Sequence, residues 1–122
     1  MQSQRFTRHR RVRRRAEFQH AFGAGVRTHG RFVTLVVVPN AIETTRLGLV
    51  ASRKIGNAVV RNRAKRLIRE VFRRNVPHGT GPAVDVVVIP RREFFEADFA
   101  TLEHDFRSTL RRGTARAARD VR

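Results

Sequence analysis

The amino-acid sequence predicts one small domain that mixes α-helices and β-strands, of the α+β type within the broad α/β class. The chain has 122 residues, 40% of them hydrophobic, which is enough for one domain with a modest core. Apolar residues recur with helical spacing at 60–72 and at 99–110. Two further segments, 31–38 and 84–89, are apolar and rich in β-branched residues, and a proline follows each of them.

The chain begins with a strongly basic segment and a short helix. Residues 1–15 contain seven arginines and no acid, which predicts an extended or disordered arm. Residues 16–23 predict a helix with Phe18 and Phe22 four positions apart on one face, stopped by the glycines at its end. A short strand at 26–28 is also compatible with the sequence.

The strands follow from the apolar segments. Residues 31–38 predict a largely buried strand that Pro39 ends, and residues 46–52 predict a second strand, most economically its hairpin partner. A loop rich in glycine and proline at 77–82 precedes a third strand at 84–89.

A last helix is predicted at 97–112. Its apolar stripe consists of Phe99, Leu102, Phe106 and Leu110, at positions i, i+3, i+7 and i+11. Residues 113–122 are basic, and we expect them to form a frayed tail. The predicted organisation is therefore a basic arm at 1–15, a folded domain at 16–112 and this tail.

Residues 52–74 predict one amphipathic helix with a very uneven charge. Its last fourteen residues, 61–74, carry seven cations and one acid. Gly56 lets the chain turn in from a strand, and Asn57 provides the side-chain oxygen of an N-cap. A solvated face normally has acids at i, i+4, so this face is better explained by a polyanionic partner. The apolar side consists of Val60, Ala64, Leu67, Ile68 and Val71, with Phe72 at its edge.

The whole chain is strongly basic. It contains 27 Lys and Arg against 10 Asp and Glu, a formal net charge of +17 that exceeds what solubility requires. All of these cations except Lys54 and Lys65 are arginine, whose guanidinium binds phosphate bidentately and stacks on bases. A GC-rich genome gives the same preference, and the sequence leaves both explanations open.

The sequence gives no signal for protein-based catalysis, a metal site or a membrane span. The absence of cysteine excludes disulfides and thiolate ligands and is compatible with a reducing cytoplasm. The five histidines show no pair at ligand spacing, and no serine has an evident base partner. No apolar stretch approaches about 18 residues, and no apolar region of a secretory signal follows the first arginines. A mitochondrial presequence is less favoured, because helix-like sequence containing Glu17 follows at once.

A longer motif carries a family resemblance. The run SRKIGNAVVRNRAKRLIREVFR, preceded by a strand ending in LGLVA and by the helix EFQHAF, resembles the protein subunit of bacterial ribonuclease P. The similarity extends in order over 14–112. It implies the order α-β-β-β-α-β-α and a small mixed sheet of the type in the second domain of ribosomal protein S5. It also implies a left-handed β-α-β crossover, against the usual right-handed rule.

The resemblance also implies a function. The family's protein is a cofactor of a catalytic RNA, and the holoenzyme is an endoribonuclease that removes 5′ leaders from precursor tRNA. The expected partners are therefore the catalytic RNA and precursor tRNA, with no protein partner and no membrane. Magnesium is expected to be needed by the RNA and not held by a protein site. No catalytic residue is expected in this chain, and the expected location is the bacterial cytoplasm.

Two surfaces follow from the resemblance. The basic helix faces the catalytic RNA, and a cleft between helices and sheet takes the single-stranded leader. The expected RNA-binding residues are Arg53, Lys54, Asn57, Arg61, Asn62, Arg63, Lys65, Arg66, Arg69 and Arg73. The expected cleft residues are Arg14, Phe18, Phe22, Phe32 and Val36. Family members often have an aromatic residue where this chain has Val36, so stacking is expected on Phe18, Phe22 or Phe32.

Simpler interpretations stay open at this point. Phe18 and Phe22 fit a hydrophobic core as well as a ligand platform, and Asn62 fits an ordinary solvated position. A ribosomal or nucleoid binding protein explains the charge, but not the basic-helix motif together with the phenylalanine pair. A protein nuclease lacks a credible cluster of acid, base or metal ligands.

Overall fold

The computed structural model describes residues 10–42, 44–76 and 83–120. Helices and a four-stranded sheet form an α+β domain over these residues, which confirms the predicted fold class. The predicted loop at 77–82 and residues 1–9 of the predicted arm lie outside the described residues. In chain order the elements are α1 Arg15–Ala24, β1 Val26–His29, β2 Val33–Pro39, β3 Arg46–Leu49, the 3₁₀ turn Arg53–Ile55, α2 Ala58–Asn75, β4 Val84–Pro90, the 3₁₀ turn Phe94–Glu96 and α3 Phe99–Asp120.

The sheet has the strand order β1-β2-β4-β3. β2 pairs antiparallel with both β1 and β4, whereas β3 pairs parallel with β4. The predicted hairpin between 31–38 and 46–52 is therefore wrong, because β4 lies between β2 and β3. A parallel pair needs a long crossover connection, and α2 provides it here. The left-handed sense of that crossover stays a prediction.

Alternation along the central strand divides the sheet into two faces. Val33, Leu35 and Val37 belong to the larger core, which includes apolar side chains of α2 and α3. Val36 and Val38 belong to a smaller core that includes Ala21 of α1. The domain therefore carries α2 and α3 on one face of the sheet and the short helix α1 on the other.

The first and last helices, α1 and α3, are longer than predicted. α1 continues through Gly23 and ends at Ala24, where the N–H of Gly25 donates to the carbonyl of Ala21 at 2.7 Å. α3 continues through Gly113 to Asp120, so the predicted frayed tail is wrong over 113–120.

Packing against the sheet explains the length of α3. Gly113 is buried, and a Cβ there would lie 3.0 Å from Val37 and 3.2 Å from the Thr28 hydroxyl, so this glycine permits a close approach. Ala117 is buried one turn later. The Arg116 guanidinium donates to the carbonyl of Arg27 at 3.0 Å, which ties the end of α3 to β1.

The last residues of the predicted arm are part of the domain. Arg10 is buried, donates to the carbonyl of Val76 at 3.0 Å and lies with its guanidinium carbon 5.0 Å from the ring centroid of Phe72. The N–H of Val12 donates to the carbonyl of Leu47 at 2.8 Å. An extended, unpacked arm is therefore the wrong description of residues 10–12.

Candidate nucleic-acid interface

The junction between β3 and α2 is set by two local features. Gly56 has φ 144°, a conformation that glycine adopts easily, and a Cβ there would lie 2.8 Å from Val60. The side chain of Asn57 accepts the N–H of Val60 at 3.0 Å, so the predicted N-cap is confirmed. The predicted single helix over 52–74 is instead a 3₁₀ turn, which holds Arg53 and Lys54, followed by α2.

α2 separates its apolar and cationic sides as the sequence predicts. Ala64, Ile68, Val71 and Phe72 are buried against the sheet and α3, and Leu67 is half-buried. The opposite side is partly or fully exposed along the length of the helix. We call this side the basic face of α2; it consists of Arg61, Asn62, Lys65, Arg66 and Arg69.

Carboxylates pair with only part of the positive charge on α2. Arg73 pairs with Glu70, which raises the pKa of Arg73 and lowers the pKa of Glu70, in both cases chiefly through their hydrogen bonds. Arg74 pairs with Glu103 of α3 at 3.1 Å. In the part of the chain that the structure describes, no carboxylate lies within ion-pair distance of the basic face of α2. Arg73 is therefore the least available of the predicted RNA-binding cations.

Cations crowd one another near the middle of this face. The pKa of Arg69 is lowered, first because the side chain is partly buried and then because of the charges of Arg11 and Arg66. The Nε of Arg69 is buried and has no hydrogen-bond partner among the described residues. An anion bound here would relieve this repulsion and accept hydrogen bonds from the guanidinium groups.

The other face of the sheet carries the phenylalanine pair. Phe18 is half-buried against the small core with Val50 and Ile89, and its ring lies over Gly48. Phe22 is 40% exposed, with the guanidinium carbon of Arg27 5.8 Å from its ring centroid. The core interpretation therefore fits Phe18, which packs against the small core. The cleft interpretation fits Phe22, which is exposed to solvent.

A basic groove of about 530 Å³ lies at the edge of the small core. Ile89, which like Phe18 packs against the small core, also lines the groove. Lys54 and the two arginines that follow β4, Arg91 and Arg92, line the groove as well. The expected site residues include Lys54 but neither arginine, because Arg91 and Arg92 lie outside the predicted helices, the basic arm and the family motif. Two cations directly after a strand-ending proline are the signal that identifies them.

Two of the predicted cleft residues do not line an open cleft. Phe32 is 6% exposed and belongs to the larger core, on the opposite face of the sheet from Phe18 and Phe22. The expectation that a base of the leader stacks on Phe32 is therefore wrong. Val36 is on the face of α1 but is buried in the small core. Arg14 is exposed, and its carbonyl accepts the N–H of Phe18 at 3.1 Å, so it lies one helical turn from Phe18.

A buried ionic network, which the sequence interpretation missed, fixes α1 to the sheet. Arg46 of β3 donates to both carboxylate oxygens of Asp85 at 2.8 Å and to Glu17 of α1 at 3.0 Å. The hydrogen bonds to Asp85 raise the pKa of Arg46. Burial alone would raise the pKa of Glu17, but hydrogen bonds from the backbones of Arg14 and Arg13 and from Arg46 lower it to about 2.

The described residues contain neither a cluster of metal ligands nor a helix that could span a membrane. Among them, no three His, Cys, Asp or Glu side chains cluster in a way that holds a metal ion. None of the described helices combines the length and the apolar character that crossing a bilayer requires.

Comparison with known proteins identifies similar chains. A family model described as Ribonuclease P matches residues 6–114. The chain is 38% identical over 114 residues to the ribonuclease P protein component of Thermotoga maritima, covering 88% of this chain and 94% of the relative. It is 39% identical over 114 residues to that of Chromohalobacter salexigens, covering 92% and 88%. The solved RNase P protein from Thermotoga maritima matches with a TM-score of 0.73 and 36% identity, over 84% of this chain and 96% of that chain.

Proposed function

The chain belongs to the ribonuclease P protein component family, and from this premise we propose that it acts as the protein subunit of ribonuclease P. In this role it binds the catalytic RNA through the basic face of α2 and the 5′ leader of precursor tRNA through the surface beside α1. The holoenzyme then removes the leader by endonucleolytic cleavage and gives the mature 5′ end of the tRNA.

One observation carries this proposal: two chemically different surfaces lie on opposite faces of one sheet. The basic face of α2 offers cations on a rigid helix, which bind phosphates and add affinity with little sequence information. The surface beside α1 combines the exposed ring of Phe22 with a groove containing Lys54, Arg91 and Arg92. An exposed aromatic ring beside cations suits an unpaired strand, where each stacked base contributes about 1 to 3 kcal/mol.

The turn between β3 and α2 connects the two surfaces. Lys54 lines the groove, and three residues later Asn57 caps the N-terminus of α2. An RNA on α2 and a leader in the groove can therefore be held at a fixed distance by one short piece of backbone. The protein's contribution to cleavage is then positioning of the substrate, which lowers the entropy cost of bringing substrate and catalyst together.

The chemistry of cleavage is assigned to the RNA subunit. Magnesium bound to that RNA would supply the activated water and the charge stabilisation of phosphodiester hydrolysis. The described residues of this chain hold no group of three or more His, Cys, Asp or Glu that could bind such an ion. We propose that the RNA alone holds the magnesium. We further propose that the protein works in the bacterial cytoplasm, where precursor tRNA is made.

The competing functions explain less of the molecule. An architectural RNA- or DNA-binding protein accounts for the basic face of α2, but not for the exposed aromatic ring and basic groove on the other side of the sheet. A metal-dependent protein nuclease needs a cluster of metal ligands, and the described part of the chain shows no group of three or more His, Cys, Asp or Glu that could hold a metal ion. The groove contains one histidine and one carboxylate, His29 and Glu93, and the His29 ring is hydrogen-bonded to the Thr34 hydroxyl at 3.0 Å.

Reconstitution tests the proposal directly. The full chain is combined with its cognate catalytic RNA, and cleavage of precursor tRNA is measured at low magnesium, where the RNA alone is slow. We expect the protein to increase kcat/KM for precursor tRNA and to tighten its binding relative to mature tRNA. The same cleavage rate with and without the protein would refute the proposal.

A further inference from the structure

Phe95 is an exposed aromatic residue beside α2 that the two proposed surfaces do not include. It lies in the 3₁₀ turn Phe94–Glu96 and is 38% exposed. The guanidinium carbon of Arg63 lies 5.5 Å from its ring centroid. Arg63 is exposed and belongs to the predicted RNA-binding set. Phe95 therefore extends the RNA-facing side of α2 with a ring that carries no charge.

The backbone of this turn is firmly held, so the ring is not a loose side chain. Phe94 is 1% exposed in the larger core, and its ring meets that of Phe95 edge to face at a centroid distance of 5.1 Å. The N–H of Phe94 donates to the carbonyl of Arg91 at 2.9 Å. Phe94 supplies the hydrophobic anchor of the turn, which leaves Phe95 available for another role.

We propose that Phe95 is a stacking platform for an unpaired base of the catalytic RNA, with Arg63 binding a phosphate next to that base. This inference rests on the proposed function, in which α2 faces the catalytic RNA. The charge of the helix beside the ring favours a nucleic acid, since Arg63, which lies against the ring, has no carboxylate partner among the described residues. Lys65 and Arg66, further along the same helix, have none among these residues either. An aromatic face beside a row of cations is the arrangement that binds unpaired nucleotides.

A stacking contact has a signature that separates it from a phosphate contact. Stacking releases no counterions, so its loss lowers affinity without changing the salt dependence of binding. Loss of a phosphate contact lowers affinity and also reduces the slope of log K against log salt concentration.

The test uses the full chain and the cognate catalytic RNA, with dissociation constants measured over a range of salt concentrations. Phe95→Leu should weaken binding at least about fivefold with an unchanged salt slope. Phe95→Tyr keeps an aromatic ring and should bind within about twofold of the wild type. Ile42→Ala changes another exposed apolar side chain, in the segment after β2, and is the matched control. Thermal melts of all variants should agree closely because each altered side chain is partly exposed.

The possible results separate the inference from the function on which it rests. If Phe95→Leu binds like the wild type, or if Phe95→Tyr loses as much affinity as Phe95→Leu, the stacking role is overturned. Lys65→Ala serves as the reference for the proposed function, because it should lower both affinity and salt slope. If Lys65→Ala lowers affinity and salt slope while Phe95→Leu binds like the wild type, only the stacking role of Phe95 is rejected, and RNA binding by α2 is retained. No response to either change would reject RNA binding by α2 as well.

Discussion

At the scale of single residues, two phenylalanine side chains, Phe22 and Phe95, are partly exposed to solvent, and an arginine lies beside each ring. Arg27 lies 5.8 Å from the ring centroid of Phe22, and Arg63 lies 5.5 Å from that of Phe95. A cation–π contact at an exposed site contributes only about 0.5 to 1 kcal/mol, less than burial of the ring would contribute. Fold stability therefore gives little reason for the exposed position of these rings, which is why we propose that they contact nucleotides.

The first prediction concerns Phe22. Phe22→Ala should weaken binding of precursor tRNA to the holoenzyme by about 1 to 3 kcal/mol and leave binding of mature tRNA unchanged. Because Phe22 is 40% exposed, the loss of fold stability should stay well below the 3 to 5 kcal/mol typical of a buried phenylalanine. Affinities for both tRNAs and a melting curve of the variant provide the measurement.

Phe18 is the comparison for this prediction. Its side chain is half-buried against the small core, so Phe18→Ala should reduce both the stability of the fold and the binding of precursor tRNA. Equal losses of precursor and mature tRNA binding in Phe22→Ala, together with a lower melting temperature, would show that both phenylalanines are core residues.

The second prediction concerns the ionic network under α1. The pKa of Glu17 is about 2 in the folded protein, against an ordinary value of 4.5. A depressed pKa stabilises the fold above the ordinary value, and this contribution is lost as the pH falls towards the folded value. Glu17→Gln should lower the free energy of unfolding by roughly 1 to 3 kcal/mol at neutral pH. The difference from the wild type should disappear between about pH 5 and pH 2.

Denaturant unfolding of both proteins across this pH range is the measurement. Glu96→Gln, at an exposed carboxylate without an ion pair in the described structure, is the control. A stability difference for Glu17→Gln that stays constant down to pH 2 would contradict a role for the charge of Glu17.

At the scale of elements, α2 separates fold and function on its two sides. Arg66→Ala or Lys65→Ala should lower the salt slope of catalytic RNA binding by about one unit or less, because each removes one phosphate contact. The melting temperature should change little. Ile68→Ala is the opposite control. Truncating this buried side chain should lower the stability of the fold by about 2 to 5 kcal/mol and should affect RNA binding only through folding. An unchanged slope in all single variants of the basic face would contradict its role.

α3 provides a second prediction at this scale. Ala117 is buried against the core and Ala118 is exposed, although both lie in the segment that the sequence predicts as a frayed tail. Ala117→Asp should destabilise the fold by about 1 to 3 kcal/mol because it forces a charge into a packed interface. Ala118→Asp should be close to neutral. Melting temperatures that fall equally for both variants would mean that this part of α3 does not pack.

The same elements show what the sequence can predict. The apolar side of α2 and the N-cap at Asn57 follow from periodicity and local hydrogen bonding, both of which are properties of neighbouring residues. Strand pairing is not a local property. The sequence alone predicts a hairpin between the segments on either side of 40–45, whereas in the folded chain β4 lies between them. In the sequence Gly113 predicts the end of a helix. Its actual role, a close approach to Val37 and Thr28, exists only in the folded chain and is not visible in the sequence.

At the scale of the whole molecule, the sheet separates the two proposed surfaces. The sequence predicted the basic face of α2 almost completely, because that surface is built from one element. The surface beside α1 is assembled from distant segments, so Arg91 and Arg92 were missed and Phe32 was assigned to the wrong face. The Arg46 network was missed for the same reason, since it joins residues 17, 46 and 85.

The last prediction follows from the net charge of +17 on a chain of 122 residues. Repulsion among these cations destabilises the compact state, and sulfate or phosphate bound by the native clusters should stabilise it by linkage. Replacing chloride with sulfate at fixed ionic strength should therefore raise the melting temperature. At a concentration one hundred times the dissociation constant, one such site contributes about 2.7 kcal/mol.

The crowded cations on α2 identify where part of this effect should arise. The pKa of Arg69 is lowered by burial and by the charges of Arg11 and Arg66, so an anion at this position would relieve repulsion among these cations. Arg66→Ala should reduce the sulfate-dependent rise in melting temperature, whereas Arg119→Ala, at an exposed position near the end of α3, should leave it intact. Equal melting temperatures in sulfate and chloride would show that screening alone, and not bound anions, governs the stability of the free protein.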